Sequence, residues 1–171
     1  MDAKFAAEQF ERAGNLATSW YAVAENLLLA SNVLKERAAS FDPFAVSTDD
    51  AVPREGRLGA VELMLRGMAV ECLLKAVWLA KGNELVDGGK FLGVPGALKT
   101  HDLTKIASAV AFVVTREEHD LLLRLSAFSE YGGRYPIPIR SEKLTTVEKK
   151  WSSPPDDKVF DGLVSRLISC I

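Results

Sequence analysis

Two Glu-to-basic pairs stand inside one long apolar stretch between Arg57 and Lys81: Glu62 with Arg66, and Glu71 with Lys75, each four residues apart. At about 100° per residue the members of each pair share a face, and the two pairs point roughly 180° from one another. A helix this apolar all round belongs in the core of a bundle. Both pairs therefore cannot face bulk water, and one of them is expected to line an internal cleft or an interface. In a cleft, Lys75 could meet a phosphate or carboxylate while Glu71 fixes its direction. On an exposed helix the same spacing contributes only about 0.2–0.5 kcal/mol. Glu62 and Arg66 lie nearer the polar loop end, where a solvated ion pair is the simpler reading.

Further along, His101 and Asp102 are predicted to open a helix capped by Thr100. In a first turn the positive end of the helix dipole favours a neutral imidazole, which can accept a proton or donate an N–H to an anion. The plainer reading is local capping and packing. Arg134 and Tyr135 follow Gly132 and Gly133 onto an irregular segment. Arg offers a rigid fork for phosphate and Tyr a flat face for a base, or else Arg134 meets helix carbonyls while Tyr135 packs. From Arg134 to Lys150 five basic and two acidic residues give a local excess of +3 (5 − 2). His119 reads as surface. The two histidines are isolated and no Cys or carboxylate cluster has ligand spacing, so neither a metal nor another cofactor is expected. Residues Gly93 to Thr100 superficially resemble a phosphate loop, but Leu98 stands where its second glycine should be. No nucleophile elbow or dinucleotide fingerprint is present.

The elements that must position these groups read as helices. A chain of 171 residues, 48% hydrophobic and 26% charged, fits one soluble globular domain with a real core. Twenty-one Lys plus Arg against twenty-three Asp plus Glu leave a net charge of −2, so a basic stripe of the kind that coats DNA is not expected. Cys72 and Cys170 are the two cysteines, too few for a disulfide framework, and a reducing cytoplasm is the simpler home. Acidic residues occupy Met1 to Phe10 where a signal peptide would want a basic flank. The charges inside Leu58 to Ala80 would be costly in lipid, so no membrane span is expected.

Apolar residues at three- and four-residue steps predict one long amphipathic helix from about Lys4 to Ala39. Ser40 to Glu55 reads as a loop, and the Arg57 to Lys81 helix stops at Gly82, a natural C′ residue. Four glycines and a proline from Asn83 to Thr100 predict a long loop. Leu103, Ile106, Ala107, Val110 and Ala111 form the buried stripe of a third helix. Thr115 with Glu118 is a capping box for a fourth, ended by Gly132 and Gly133. Arg134 to Pro155 is expected to be an ordered extended segment over the bundle. A last helix, about Asp156 to Cys170, follows. The prediction is an all-α, up-and-down bundle of about five helices with long ordered loops in a single domain over 1–171, with no strand required.

Glu71-Cys-Leu-Leu-Lys75-Ala76 in a long apolar helix, then His101-Asp102-Leu103, then Arg134-Tyr135-Pro136 before a terminal amphipathic helix, resembles the HEPN domain (higher eukaryotes and prokaryotes nucleotide binding). The similarity spans roughly 57–171, with residues 1–39 completing the bundle. The resemblance implies an all-α bundle, a homodimer and nucleotide or RNA binding, often in toxin–antitoxin or defence systems beside a nucleotidyltransferase antitoxin. Many relatives are metal-independent ribonucleases using an arginine followed four to six residues later by a histidine. Here Arg116 precedes His119 by only three positions, so no catalytic residue is carried over. The favoured expectation is a non-catalytic binding module in which Lys75, His101 and Arg134 contact an anion, Glu71 and Asp102 orient them and Tyr135 offers a stacking face, all around one cleft. The alternatives are a divergent ribonuclease with His101 as general base, aided by Arg134 or Lys75, and a homodimer pinned by the charged pair.

Overall fold

The computed structural model describes residues 3–39, 58–98, 100–134 and 157–171. Six α-helices lie among the described residues: α1 (Ala3–Gly14), α2 (Ala17–Ala39), α3 (Leu58–Ala80), α4 (Leu103–Ala109), α5 (Arg116–Ala127) and α6 (Asp157–Ile168). A short hairpin, β1 (Val86–Asp87) and β2 (Lys90–Phe91), stands between α3 and α4, and a π-helical turn (Phe128–Gly132) extends α5. The all-α prediction holds. No described helix is long and apolar enough to cross a membrane. The predicted loop from Ser40 to Glu55 and the predicted extended segment after Arg134, including Tyr135, lie outside the described residues.

α3 is the central rod because its sequence is apolar on every side. Val70, Leu73, Leu74 and Val77 are all 1% exposed or less, and each face of the helix meets a different neighbour. Its most extensive pairing is with α2. Trp20, early in α2, reaches Lys75 late in α3, while Lys35, late in α2, shares Asp157 with Arg66. The two helices therefore run antiparallel. Leu103 and Ile106 of α4, Leu121, Leu122 and Leu125 of α5 and Phe160, Leu163 and Leu167 of α6 complete one contiguous core. Fully burying side chains of this size contributes on the order of 1.5–3 kcal/mol each.

The predicted first helix is two. α1 ends at Gly14 because the hairpin presses there: a Cβ on residue 14 would fall on Val86 Cγ2. Asn15 then acts as a surrogate strand, accepting from the backbone N–H of Leu85 (2.8 Å) and of Val86 (2.9 Å) and donating to the Val86 carbonyl (2.8 Å). The hairpin itself replaces part of the predicted loop. Gly88 and Gly89 both take positive φ, 55° and 72°, the requirement of a tight two-residue turn that matches strand twist.

α4 starts two residues later than the sequence suggested. Asp102, not Thr100, is its N-cap, accepting from the N–H of Thr104 (3.1 Å) and Lys105 (3.2 Å). Thr100 instead accepts from the Asp102 N–H at 3.0 Å. Ala111, placed on the buried stripe by periodicity, lies beyond the helix and is exposed, whereas Val110 is buried. The predicted capping box of α5 is present, with Thr115 and Glu118 reciprocally bonded. Glu118 also accepts from Arg166 of α6 at 2.7 Å, which fastens the last helix to the start of α5. Where α5 passes α3, Gly67 is required: a Cβ there would collide with Ser129 Oγ and come within 2.9 Å of the Leu125 carbonyl.

Candidate functional site

Glu71 is the hub of the site. It sits mid-helix on α3, 8% exposed, and each carboxylate oxygen has its own partner. Oε1 accepts from Lys75 Nζ at 2.7 Å, one turn on, and Oε2 lies 2.9 Å from His101 Nδ1. A carboxylate can only accept, so Nδ1 carries the hydrogen of this bond; Nε2 is an acceptor when the ring is neutral and a donor when it is protonated. The His101 side chain is 44% exposed, whereas that of Lys75 is only 14% exposed.

Two aromatic rings flank the Lys75 ammonium: Trp20 of α2 at 4.8 Å and Phe91 of β2 at 5.4 Å from the ring centroids. The rings lie 6.0 Å apart, tilted by 34°. Such faces attract a cation by about 0.5–2 kcal/mol, more when it is desolvated. Beside this cluster opens a cleft of about 230 Å³, walled by Val94, Ala97 and Ile106, with Thr100, Phe91 and Gly93 around it. Glu71, Lys75 and His101 thus meet in one recess, contributed by α3 and by the chain leading into α4.

The other predicted site residues fall elsewhere. His101 precedes the N-cap, so it is not in a helical first turn and the dipole argument for it does not apply. Asp102 does not line the cleft. It holds the start of α4 and pairs with Lys105 at 3.3 Å. Although burial alone would raise its carboxyl, hydrogen bonds from Thr104 and Lys105 hold it below the usual range. Arg134 is exposed at the far end of α3: a Cβ on neighbouring Gly133 would fall on Met64 and lie 2.8 Å from the Ala60 carbonyl. Met64 and Glu71 are seven residues apart, which at 1.5 Å per residue puts Arg134 over a turn roughly 10 Å or more along the helix from the cleft. Arg134 therefore does not gather with Lys75 and His101. Tyr135 lies outside the described residues. His119 is exposed, as expected.

Two contributors were missed. Trp20 reads in sequence as one more apolar step of the first helix, and Phe91 as part of a loop. The Gly88-Gly89 pair between short apolar runs was the signal for a hairpin that could have placed Phe91.

The second charged pair is also buried, contrary to the solvated reading. Glu62 is 7% and Arg66 5% exposed, because α6 closes over them. The Arg66 Nε pairs with Glu62 Oε1, its Nη1 donates to Asp157 Oδ1 at 2.9 Å, and its guanidinium carbon sits 4.5 Å from the Phe160 ring centroid. Lys35 completes the network, donating to Asp157 Oδ2 at 2.7 Å. Burial pushes the Glu62 carboxyl up, opposed by the Arg66 charge. The Asp157 carboxyl is held below its ordinary value of 3.8 by the Lys35 hydrogen bond, against a smaller burial effect and with help from Arg66. A depressed folded-state carboxyl stabilises above its unfolded value and loses that contribution as pH falls through the depressed one. Asp157→Asn should therefore melt below the parent at pH 7, and the two curves should converge as pH drops below the ordinary value of 3.8. Thermal melts between pH 7 and pH 2 check this.

Cys72 lies beside the cluster on α3. Burial pushes its thiol up to about 11, with Lys75 opposing and Glu71 adding to the rise. At pH 8 about one molecule in a thousand then carries the reactive thiolate. With a chromogenic disulfide reagent, the exposed Cys170 should react promptly and Cys72 only after denaturant is added. Two rapidly reacting thiols in the native protein would contradict this.

Among the described residues no group of three or more His, Cys, Asp or Glu side chains converges as a metal site would require. Comparison of the chain with protein-family models, curated proteins and solved structures found no match.

Proposed function

We propose that the chain is a HEPN-like helical module that does not itself cleave RNA and holds a nucleotide or RNA phosphate in the cleft between Lys75 and His101. One observation carries the reading: a single buried carboxylate, Glu71, fixes both an ammonium and an imidazole at the edge of an apolar-walled recess. An ammonium aligned by a carboxylate is the donor a phosphate oxygen requires, and the imidazole adds a second donor from Nε2 in its protonated form. The residues at the recess also belong to the stretches that resemble HEPN domains, Glu71 to Ala76 and His101 to Leu103. A cytoplasmic toxin–antitoxin or defence setting, with a nucleotidyltransferase partner, is the context the resemblance supports. Homodimerisation is part of the same proposal. Because the Glu71 carboxylate is occupied within its own chain, the dimer contact is proposed to use another surface. Light scattering should accordingly give the same mass for Glu71→Ala as for the parent.

Isothermal titration with mononucleotides, dinucleotides and short RNA tests the binding. Heat is expected with at least one of them, and Lys75→Ala or His101→Ala should weaken it tenfold or more, the order expected for a charge-assisted hydrogen bond of about 1.5–3 kcal/mol. No heat from any ligand, or unchanged affinity in both variants, would remove the proposal.

A second reading is favoured by the 2.9 Å contact between Glu71 Oε2 and His101 Nδ1. A carboxylate on Nδ1 orients the ring and leaves Nε2 free to take a proton, the arrangement of a general base. In a ribonuclease built this way Lys75, and not the remote Arg134, would stabilise the charged phosphorus intermediate. Incubation of labelled RNA in EDTA discriminates: cleavage abolished by His101→Ala selects the enzyme, and intact RNA selects the binder.

A further inference from the structure

Phe91 is an exposed aromatic residue fixed beside a cation. It keeps 50% of its surface open, although one flank meets Trp20 and Lys75. Its position is not left to a loose loop. The hairpin stem is bonded three times to Asn15, and the Gly89 N–H is held by Glu11 at 2.8 Å. Gly93 then turns the chain at φ 68°, where a Cβ would lie 3.1 Å from Leu98 and 3.5 Å from the Phe91 ring. Phe91, half exposed, and Leu98, 58% exposed, therefore stand together beside Gly93, and Phe91 and Gly93 line the recess that also holds Glu71, Lys75 and His101.

Charge and size narrow the ligand further. Among the described residues the ionic groups lining the recess are Glu71, Lys75 and His101, so even with a protonated imidazole their surplus is one positive charge (+2 − 1). That suffices for one phosphate and not for the several negative charges of a diphosphate or triphosphate. The cleft of about 230 Å³ is below the roughly 300–1,000 Å³ typical of sites that swallow a whole small molecule. It has room for a phosphate and part of a sugar, which leaves a base at the mouth.

We infer that the cleft takes a nucleoside monophosphate or a single nucleotide unit, its phosphate at Lys75 and His101 and its base lying on Phe91, and that it turns di- and triphosphates away. The inference rests on reading the recess as a phosphate site. It makes Phe91 the residue that distinguishes a nucleotide from a bare phosphate.

Nuclear magnetic resonance titration of the full chain with inorganic phosphate, AMP, UMP, ADP and ATP tests it. AMP is expected to bind at least about fivefold more tightly than inorganic phosphate, the low end of what base–aromatic stacking supplies. ADP and ATP should bind more weakly than AMP. Phe91→Ala should erase the advantage of AMP over phosphate, and Phe91→Trp should keep it. Because Phe91 is half exposed, both variants should melt near the parent, which separates loss of stacking from loss of fold. Equal affinity for AMP and phosphate, an unaltered AMP affinity in Phe91→Ala, or preference for ATP overturns the inference while leaving a phosphate site intact. No response to phosphate, to any nucleotide or to short RNA removes the phosphate reading as well.

Discussion

Replacing Arg66 by alanine is expected to destabilise the protein by about 3–5 kcal/mol, the loss typical when one partner of a buried ion pair is removed and the other stays behind. The Glu62 carboxylate, 7% exposed, would face the core without the guanidinium that now pairs with it. Phe160 would lose the cation 4.5 Å from its ring, and Asp157 would lose one of its two cationic partners among the described residues. For a chain of this length each kcal/mol moves the melting temperature by roughly 2–4 °C, so a fall of roughly 10 °C is expected. The deficit should narrow on mild acidification, because burial already raises the Glu62 carboxyl. With Arg66 gone it takes up a proton at still higher pH, and the protonated form carries no uncompensated charge. Replacing both members, as Glu62→Leu with Arg66→Met, should recover most of the stability, since apolar residues of similar volume commonly substitute for a buried pair at little cost. Denaturant titration of the three variants checks the series. A loss below about 1 kcal/mol for Arg66→Ala would show that the pair is hydrated, as the sequence alone suggested.

That last point marks where sequence reading reaches and where it stops. The apolar period of α3 and the capping box at Thr115 are local patterns, repeated within one or two turns, and both could be read directly. So could the conflict between a greasy helix and its charged pairs, from which a recess at Glu71 and Lys75 was expected. What the pattern could not supply was which neighbour covers which face. Glu62 and Arg66 looked solvated because they lie near a loop in sequence, yet the helix that covers them begins at Asp157, 91 residues beyond Arg66. Arg134 was expected at the site because an Arg on an irregular segment after two glycines could reach the charged pair, but the antiparallel course of α5 along α3 carries it to the opposite end of the rod. The break after Gly14 had a sequence signal in the Gly14-Asn15 step, which the apolar period ran straight through. Its cause is the hairpin 71 residues on, and the same hairpin turns Phe91 from loop filler into a wall of the cleft. The break after Gly14, the burial of Glu62 and Arg66 and the place of Phe91 share one origin, a partner distant in sequence, whereas the later start of α4 is a local choice of cap, Asp102 over Thr100.

Glu71→Ala should damage both the fold and the site, and the two effects can be separated. The Lys75 side chain is 14% exposed, so removal of its counter-charge leaves an ammonium facing Trp20 and Phe91 with little water. A loss of about 3 kcal/mol is expected, the low end for a broken buried pair, because the two rings still attract the cation. Lys75→Met added to Glu71→Ala removes that stranded charge, and the double variant should be more stable than Glu71→Ala alone. The difference from additivity measures the pair directly. His101 reports the second effect. In the parent, the Glu71 carboxylate holds the hydrogen on Nδ1; in Glu71→Ala that hold is lost, and the imidazole should shift toward the Nε2–H form that prevails in unconstrained histidine. Nitrogen chemical shifts of the ring distinguish the two forms without any assay of function. Lys75→Met alone, which leaves the contact between Glu71 and His101 in place, should not alter them. An unchanged tautomer in Glu71→Ala would mean that His101 is oriented by something other than this carboxylate, and both the binding and the general-base readings of the recess would lose the group that organises them.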